Sequence, residues 1–265
     1  ESNLDNDHTY QILMKYSASP LNRLGAKWKS ELLVGQRQRF LAEFYQPLNP
    51  YPWKVFLAPS GAYRSYPVHV YTERKSENAD AEYKVHDAWG GMDLGLQMGE
   101  YGELRWGYVN GRNRTRLKIG QESEITSEEK ETYGAYRVQL NLDQLDNAFF
   151  PRQGWLFTAG YEYGRDNLGA DRNYRHAEGA LVKALTYRRH TVALRGRWGT
   201  NLGSADAVPR RFSLGGFLNL SGMNADQVCG NHAVLGELIY YGKIVRLSSF
   251  LPSDVYGGFS YEEAD

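Results

Sequence analysis

Trp155-Leu156-Phe157-Thr158-Ala159-Gly160-Tyr161-Glu162-Tyr163 sets an apolar or aromatic side chain at alternate positions. A strand sends successive side chains to opposite faces. Trp155, Phe157, Ala159, Tyr161 and Tyr163 therefore share one face, and Thr158, Gly160 and Glu162 share the other. One face is greasy and the other is wet.

The same alternation recurs on both sides of this stretch. Val192, Leu194, Gly196 and Trp198 oppose Ala193, Arg195 and Arg197, while Tyr136, Val138, Leu140 and Leu142 oppose Arg137, Gln139 and Asn141. Leu104, Trp106 and Tyr108 oppose Glu103 and Arg105, Phe40, Ala42 and Phe44 oppose Arg39 and Glu43, and Trp28, Leu32 and Val34 oppose Lys27, Lys29 and Glu31. Near the start Tyr10, Ile12, Met14 and Tyr16 oppose Gln11 and Lys15. In a soluble sheet the apolar face turns inward. In a membrane barrel it turns to lipid and the polar face lines a lumen. Alternation alone does not choose between them.

Composition narrows the choice. The 265 residues carry 31 acidic and 31 basic side chains, so no net charge steers the chain towards nucleic acid. No stretch approaches the roughly 18 consecutive apolar residues of a spanning helix, which excludes a helical membrane protein but not a barrel. Twenty Tyr and six Trp raise the aromatic share to 14%. Such rings are favoured at the edges of a bilayer, which supports the barrel. Cys229 is the only cysteine, so no intrachain disulfide forms, and Gly230 and Asn231 beside it suggest a loop thiol. The N-terminus shows no basic region followed by an apolar one, so an export signal is expected to have been removed or to lie upstream.

Strand-sized segments fall near 8–17, 26–35, 37–46, 53–63, 65–73, 83–97, 102–112, 131–143, 154–164, 174–187, 190–200, 232–246 and 254–262, which makes thirteen. Tight connectors such as Gly35-Gln36 and Gly99-Glu100-Tyr101-Gly102 roughly alternate with long polar ones such as 73–81 and 120–132. Meander barrels keep short turns on the periplasmic side and long loops outside, so connector length gives each strand a direction. If the first strand runs outward, so does the segment at 190–200. The connector after it, to about Gly230, is then an outside loop, and a structureless connection of that length is usually functional.

That connector contains Arg210-Arg211-Phe212-Ser213-Leu214-Gly215-Gly216-Phe217-Leu218-Asn219-Leu220-Ser221-Gly222. Here the chain resembles the barrel of the bacterial surface antigen superfamily, which includes outer-membrane insertases and two-partner secretion transporters. Its loop signature reads as an aromatic, Leu-Gly-Gly, then Leu-Arg-Gly-aromatic. Phe212, Leu214, Gly215, Gly216, Leu220 and Gly222 match it, with Arg211 just before. A second resemblance lies in Leu145-Asp146-Asn147-Ala148-Phe149-Phe150-Pro151-Arg152-Gln153-Gly154, similar to the Asp, Phe-Pro and Gly turn that introduces an outward strand. Asp146, Phe150, Pro151 and Gly154 carry that match.

The resemblance implies an all-β, transmembrane antiparallel meander β-barrel of about sixteen strands, of which the chain supplies roughly the first thirteen. Residues 1–265 are then one outer-membrane barrel domain, incomplete at its C-terminus, with loop 201–230 folded inward. In the relatives an Arg in that loop pairs with acidic groups on neighbouring strands. Ser221 stands there instead, and a hydroxyl lacks the donor fork of a guanidinium, which puts the charge-paired lock in doubt. The Leu220-Ser221-Gly222 variant, with Asn22-Arg23-Leu24-Gly25 and Phe44-Tyr45-Gln46-Pro47-Leu48, most resembles the C-terminal barrels of patatin-like phospholipases. That implies a barrel that anchors, and in one version translocates, an N-terminal lipase passenger. An insertase or secretion transporter is the alternative, and a catalytic barrel the third.

Catalytic chemistry has little to stand on in the residues themselves. No Gly-x-Ser-x-Gly occurs, and Pro59-Ser60-Gly61 and Leu220-Ser221-Gly222 both lack the first Gly. The six His, at 8, 69, 86, 176, 190 and 232, show no metal-ligand spacing, so no metal, cofactor or catalytic residue is assigned. Asp87 beside His86 and Glu178 near His176 are the pairs that a barrel-mouth hydrolase would use, without a recognisable nucleophile. Gly111-Arg112-Asn113-Arg114-Thr115-Arg116-Leu117-Lys118 is the densest basic run, a candidate for lipopolysaccharide phosphates or else a solvated loop balanced by the acidic stretch Glu122 to Glu131. The expected partners are membrane lipids and lipopolysaccharide, the covalently attached passenger, the barrel-assembly machinery and a second copy of the barrel, with no nucleic acid.

Overall fold

Phe157 of the opening stretch lies opposite Leu142 and Leu181, and Glu162 lies opposite Arg137 and His176, so at these positions greasy side chains meet greasy and wet meet wet. The computed structural model describes residues 11–50, 53–71, 80–120, 129–203, 211–246 and 254–265. Residues 8–10 of the first expected strand, the middles of the connectors at 73–81 and 120–132, and most of the acidic stretch after Glu122 lie outside the described residues.

The strands are β1 (Gln11–Ala18), β2 (Lys27–Gly35), β3 (Gln38–Pro47), β4 (Trp53–Val70), β5 (Ala81–Met98), β6 (Gly102–Gly120), β7 (Glu129–Asp143), β8 (Gly154–Gly164), β9 (Tyr174–Tyr187), β10 (His190–Gly203), β11 (Phe212–Leu214), β12 (Val228–Gly230), β13 (His232–Arg246) and β14 (Asp254–Ala264). Twelve of them form one antiparallel meander in the order β1 to β10, then β13 and β14, with β11 and β12 as a separate small hairpin. A short 3-10 turn at Asp166–Leu168 is the only helical element among the described residues.

The sheet therefore has twelve long strands, not thirteen. The segments expected at 53–63 and 65–73 are one continuous strand, β4, paired to β5 from Trp53 to Val70. Pro59, Gly61 and Pro67 look like breakers in sequence, but each is accommodated. The ladder to β3 runs from Gln38 opposite Ser65 to Glu43 opposite Ser60 and resumes at Gln46 opposite Leu57, so it passes over Pro59 and ends before Pro67. A proline is tolerated where no ladder bond needs its missing N–H. The merger also changes direction: β1 runs antiparallel to β10 and does not share its heading.

Burial reads in reverse of a soluble sheet. One face holds the buried polar groups Asp87, Asp93, Asn113, Arg137, Thr191, Asn201 and Glu237. The opposite face exposes Trp28, Trp106 and Trp198 at 38%, 57% and 45%, together with Ile12, Met92, Leu94, Val138, Leu181, Leu194 and Leu238. A soluble sheet that left these side chains in water would forgo about 1.5–3 kcal/mol for each one it could have buried. An apolar outer face with a polar inner face is the arrangement of a transmembrane barrel.

The inner face is held by charge and by glycine gaps. Arg137 forks onto Asp93 at 2.8 and 2.7 Å, and Arg105 reaches Glu43 at 2.6 Å and Glu103 at 2.8 Å. Arg64 bonds Asp87 at 2.8 Å while Tyr133 donates to the other oxygen of that carboxylate, also at 2.8 Å. Small residues make room for the large ones. A Cβ on Gly95 would stand 2.1 Å from the Phe56 ring, and one on Gly164 would stand 1.9 Å from Tyr174.

Candidate functional site

The two motifs singled out in the sequence project from opposite ends of the sheet. Turn 144–153 joins β7 to β8 and the long loop joins β10 to β13, and in a meander those connectors lie at different ends. Both return to the inner face of β13 and β14.

The loop hairpin β11–β12 packs on the inner wall. Leu214 is buried in a cluster with Ala233 and Leu235, with Phe212, Leu220 and Val228 packed around it. Phe212 stacks on His176 with ring centroids 5.1 Å apart and covers Gly199, where a Cβ would meet the ring at 2.1 Å. Arg211 borders the same wall region as Tyr66, Asp87 and His176. Under the hairpin a cavity of about 470 Å³ has a mixed lining, with Arg105, Asn141, Thr158 and Glu178 beside apolar groups such as Phe212 and Leu235.

The loop is tied to the wall through Ser221. Its Oγ donates to Glu262 Oε1 at 2.7 Å, and its backbone N–H and that of Leu220 each donate to Oε2 at 2.8 Å. The same Oγ accepts the Leu218 N–H at 3.0 Å. Glu262 is on the inner face of β14, opposite Glu237 of β13. No Arg occupies the position, but a wall carboxylate, Glu262, is engaged all the same, by one hydroxyl and two amides. Arg197 adds a bond to Asn219, whose side chain donates in turn to Gly215 O at 3.0 Å.

The two glycines act within the loop itself. Gly215 has φ +127°, and a Cβ there would stand 1.9 Å from Asn224 O on the returning limb of the loop. Gly216 has φ +93° with its nearest neighbour at 3.9 Å, so only its backbone conformation asks for glycine. The close approach at Gly215 is between the loop's own limbs. Gly222 has open space where a Cβ would go.

The turn is organised by its own side chains. Asp146 Oδ1 accepts the N–H groups of Arg152 at 2.8 Å and Gln153 at 3.2 Å, and Asn147 Oδ1 accepts those of Phe149 and Phe150. Gly154 has φ +101°, and a Cβ there would stand 1.9 Å from Gln144 O. The result aims Phe150 inward, where it stacks on Tyr256 at 4.9 Å and meets Tyr241 edge-on at 5.8 Å. Pro151 O accepts the Tyr241 hydroxyl.

The two His-carboxylate pairs fare differently. His86 points outward to the Tyr63 hydroxyl at 2.9 Å, while Asp87 points inward to Arg64 and Tyr133, so adjacency in sequence separates them by the thickness of the sheet. His176 and Glu178 share the inner face at 3.6 Å, with Asn201 2.6 Å from the other ring nitrogen. Among the described residues no group of three His, Cys, Asp or Glu is placed to hold a metal ion. Glu262 and Glu237 were missed by sequence reasoning. Period-two counting puts both on the wet face, but nothing in the sequence marks Glu262 as the loop's anchor.

The Omp85 superfamily domain matches residues 22–251, which takes in both motifs and ten of the twelve long strands in full. The chain belongs to the Omp85 superfamily. That places it among the outer-membrane β-barrel proteins of Gram-negative bacteria. Its fold is similar to a crystal structure of BamA from Haemophilus ducreyi lacking POTRA domains 1–3, with a TM-score of 0.71 at 13% identity, covering 96% of this chain and 54% of that one. This Omp85-superfamily chain thus spans about half the length of that relative. No curated protein matches it.

Proposed function

We propose that this chain is the barrel of an outer-membrane machine that inserts or translocates polypeptides, with the loop at 211–230 as an internal element of its conduit. The observation that carries the reading is the inner wall itself. A polar, ion-paired surface faces a hairpin that is pinned to β14 through Glu262, and Phe150 closes on the same two strands from the opposite end. A polypeptide in transit must have its backbone donors and acceptors satisfied, and a wall of Gln, Asn, Thr and paired charges offers partners that lipid cannot. Membership of a superfamily that includes insertases and secretion transporters supports the same class.

The test uses the full-length protein in its native membrane, with a photo-crosslinking residue at Thr158 or Gln139, both bordering the cavity. Adducts with polypeptides in transit are expected at these inward positions and not at Trp106, on the outer face. Adducts at neither inward position would overturn the reading.

A second reading, a barrel that carries a patatin-like phospholipase passenger, rests on the short segments Leu220-Ser221-Gly222, Asn22-Arg23-Leu24-Gly25 and Phe44-Tyr45-Gln46-Pro47-Leu48, and none of the comparisons supports the passenger. A Gly-x-Ser-x-Gly lipase domain ahead of residue 1 in the full-length gene product would establish it, and a different upstream domain would remove it.

A further inference from the structure

The two faces of the sheet treat their cations differently. On the inner wall Arg39, Arg64, Arg105, Arg137 and Arg195 each stand within ion-pairing distance of a carboxylate. On the outer face Arg112, Arg114 and Arg116 of β6 form a row that the register extends sideways. Arg116 lies opposite Lys84 of β5, and Arg114 lies between His86 of β5 and Lys130 of β7. Among the described residues none of Arg112, Arg114, Arg116, Lys84 and Lys130 has an acidic partner. The carboxylates nearby are committed elsewhere: Glu82 holds Lys118 at 2.9 Å, and Glu131 lies on the inner face beside Asn113.

Like charges side by side on one face of a sheet repel and destabilise it. Among the described residues nothing offsets this repulsion, which makes the patch suited to an anionic ligand. Its place on the strand identifies the kind. Running back along β6, the same outer face carries Tyr108, which meets Tyr136 of β7 at 6.1 Å, then Trp106 and Leu104. Interfacial aromatics of this sort mark the boundary of the acyl region. Arg112 is four residues beyond Tyr108, about 13 Å along an extended strand. The cations therefore sit at headgroup depth, at the end of the sheet that bears the loop of residues 211–230. They are spaced about 5 Å across strands and about 7 Å along them, close enough for several to engage one headgroup.

We propose that Lys84, Arg112, Arg114, Arg116 and Lys130 form an outward-facing binding site for the phosphate groups of lipopolysaccharide. Guanidinium groups bind phosphate through paired N–H donors, and more than one phosphate on one headgroup engages more than one of them. The site rests on the outer face being lipid-facing and is independent of what passes through the lumen.

The experiment compares the full-length protein with a variant carrying Arg112→Ser, Arg114→Ser and Arg116→Ser, and with a control losing equal charge elsewhere through Arg23→Ser, Lys183→Ser and Arg188→Ser. Heat-modifiable mobility on gels confirms folding. Binding is measured to vesicles containing lipopolysaccharide, dephosphorylated lipopolysaccharide or phosphatidylglycerol. The wild type and the control are expected to bind the phosphorylated glycolipid, and the triple variant to bind it about tenfold or more weakly. Added salt should weaken wild-type binding, a readout that needs no variant at all. Equal binding by the triple variant, no loss on dephosphorylation, or equal preference for phosphatidylglycerol would each overturn the proposal. So would a wild type that does not bind, the result expected if Glu122, Glu124 and Glu128 neutralise the patch.

Discussion

Ser221 and Glu262 stand forty-one residues apart in the chain and in direct contact on the inner wall, Oγ to Oε1 at 2.7 Å. Two backbone amides complete the cradle on the other carboxylate oxygen. Because hydrogen bonds to a charged acceptor contribute about 1.5–3 kcal/mol each, the carboxylate matters more than the hydroxyl.

Glu262→Gln removes the charge and turns an NH2 donor towards donors. We expect the loop to detach, seen as faster proteolysis between residues 211 and 230 in the folded full-length barrel. Ser221→Ala removes the hydroxyl's bonds to Glu262 and from the Leu218 N–H but leaves the two amides on the carboxylate, so its effect should be smaller, about 1–2 kcal/mol. Ser221→Arg should keep the loop protected.

The glycines separate space from conformation. Gly215→Val places a side chain where Asn224 O stands and should sharply lower the fraction that assembles with heat-modifiable mobility. Gly216→Ala meets no atom closer than 3.9 Å and should cost only the left-handed backbone conformation, about 1–2 kcal/mol. Gly222→Ala should be silent by the same assay.

Phe150→Ala deletes both ring contacts to Tyr241 and Tyr256, each worth about 0.5–1.5 kcal/mol beyond buried area. The expected result is a lower Tm and faster hydrogen exchange in β13 and β14. Phe149→Ala is the control, since that ring is 88% exposed and should change neither.

Asp93→Asn leaves Arg137 buried without its counter-charge. Breaking one side of a buried pair costs about 3–5 kcal/mol, so this variant should show the largest loss of thermal stability of any inner-wall substitution proposed here. Replacing both partners with apolar residues of similar volume should recover much of it.

Period-two alternation made the strands from Trp28 to Trp198 legible, because a membrane sheet sorts its two faces as strictly as a soluble one does. The two motifs were legible as family resemblances, and the positive φ and close backbone approach at Gly154 and Gly215 show why glycine stands at those two positions. The continuity of β4 was not, because Pro59 and Pro67 look like breakers until the ladder shows that β3 makes no use of them. Glu262 was hidden for a related reason. One glutamate among alternating polar residues reveals its partner only when a loop from far along the chain comes to lie on it. The outer row of Arg112, Arg114 and Arg116 was visible as charge, but Lys84 and Lys130 joined it only through register.

The central claim is that the apolar faces touch acyl chains while the polar faces enclose an aqueous interior. Its most direct test is tryptophan fluorescence of the full-length protein reconstituted in bilayers, with Trp106 or Trp198 as the sole tryptophan and bromine placed along the acyl chains. Strong quenching by the brominated lipid and little by aqueous iodide is the expected result. Quenching by iodide with no response to the brominated lipid would contradict the account.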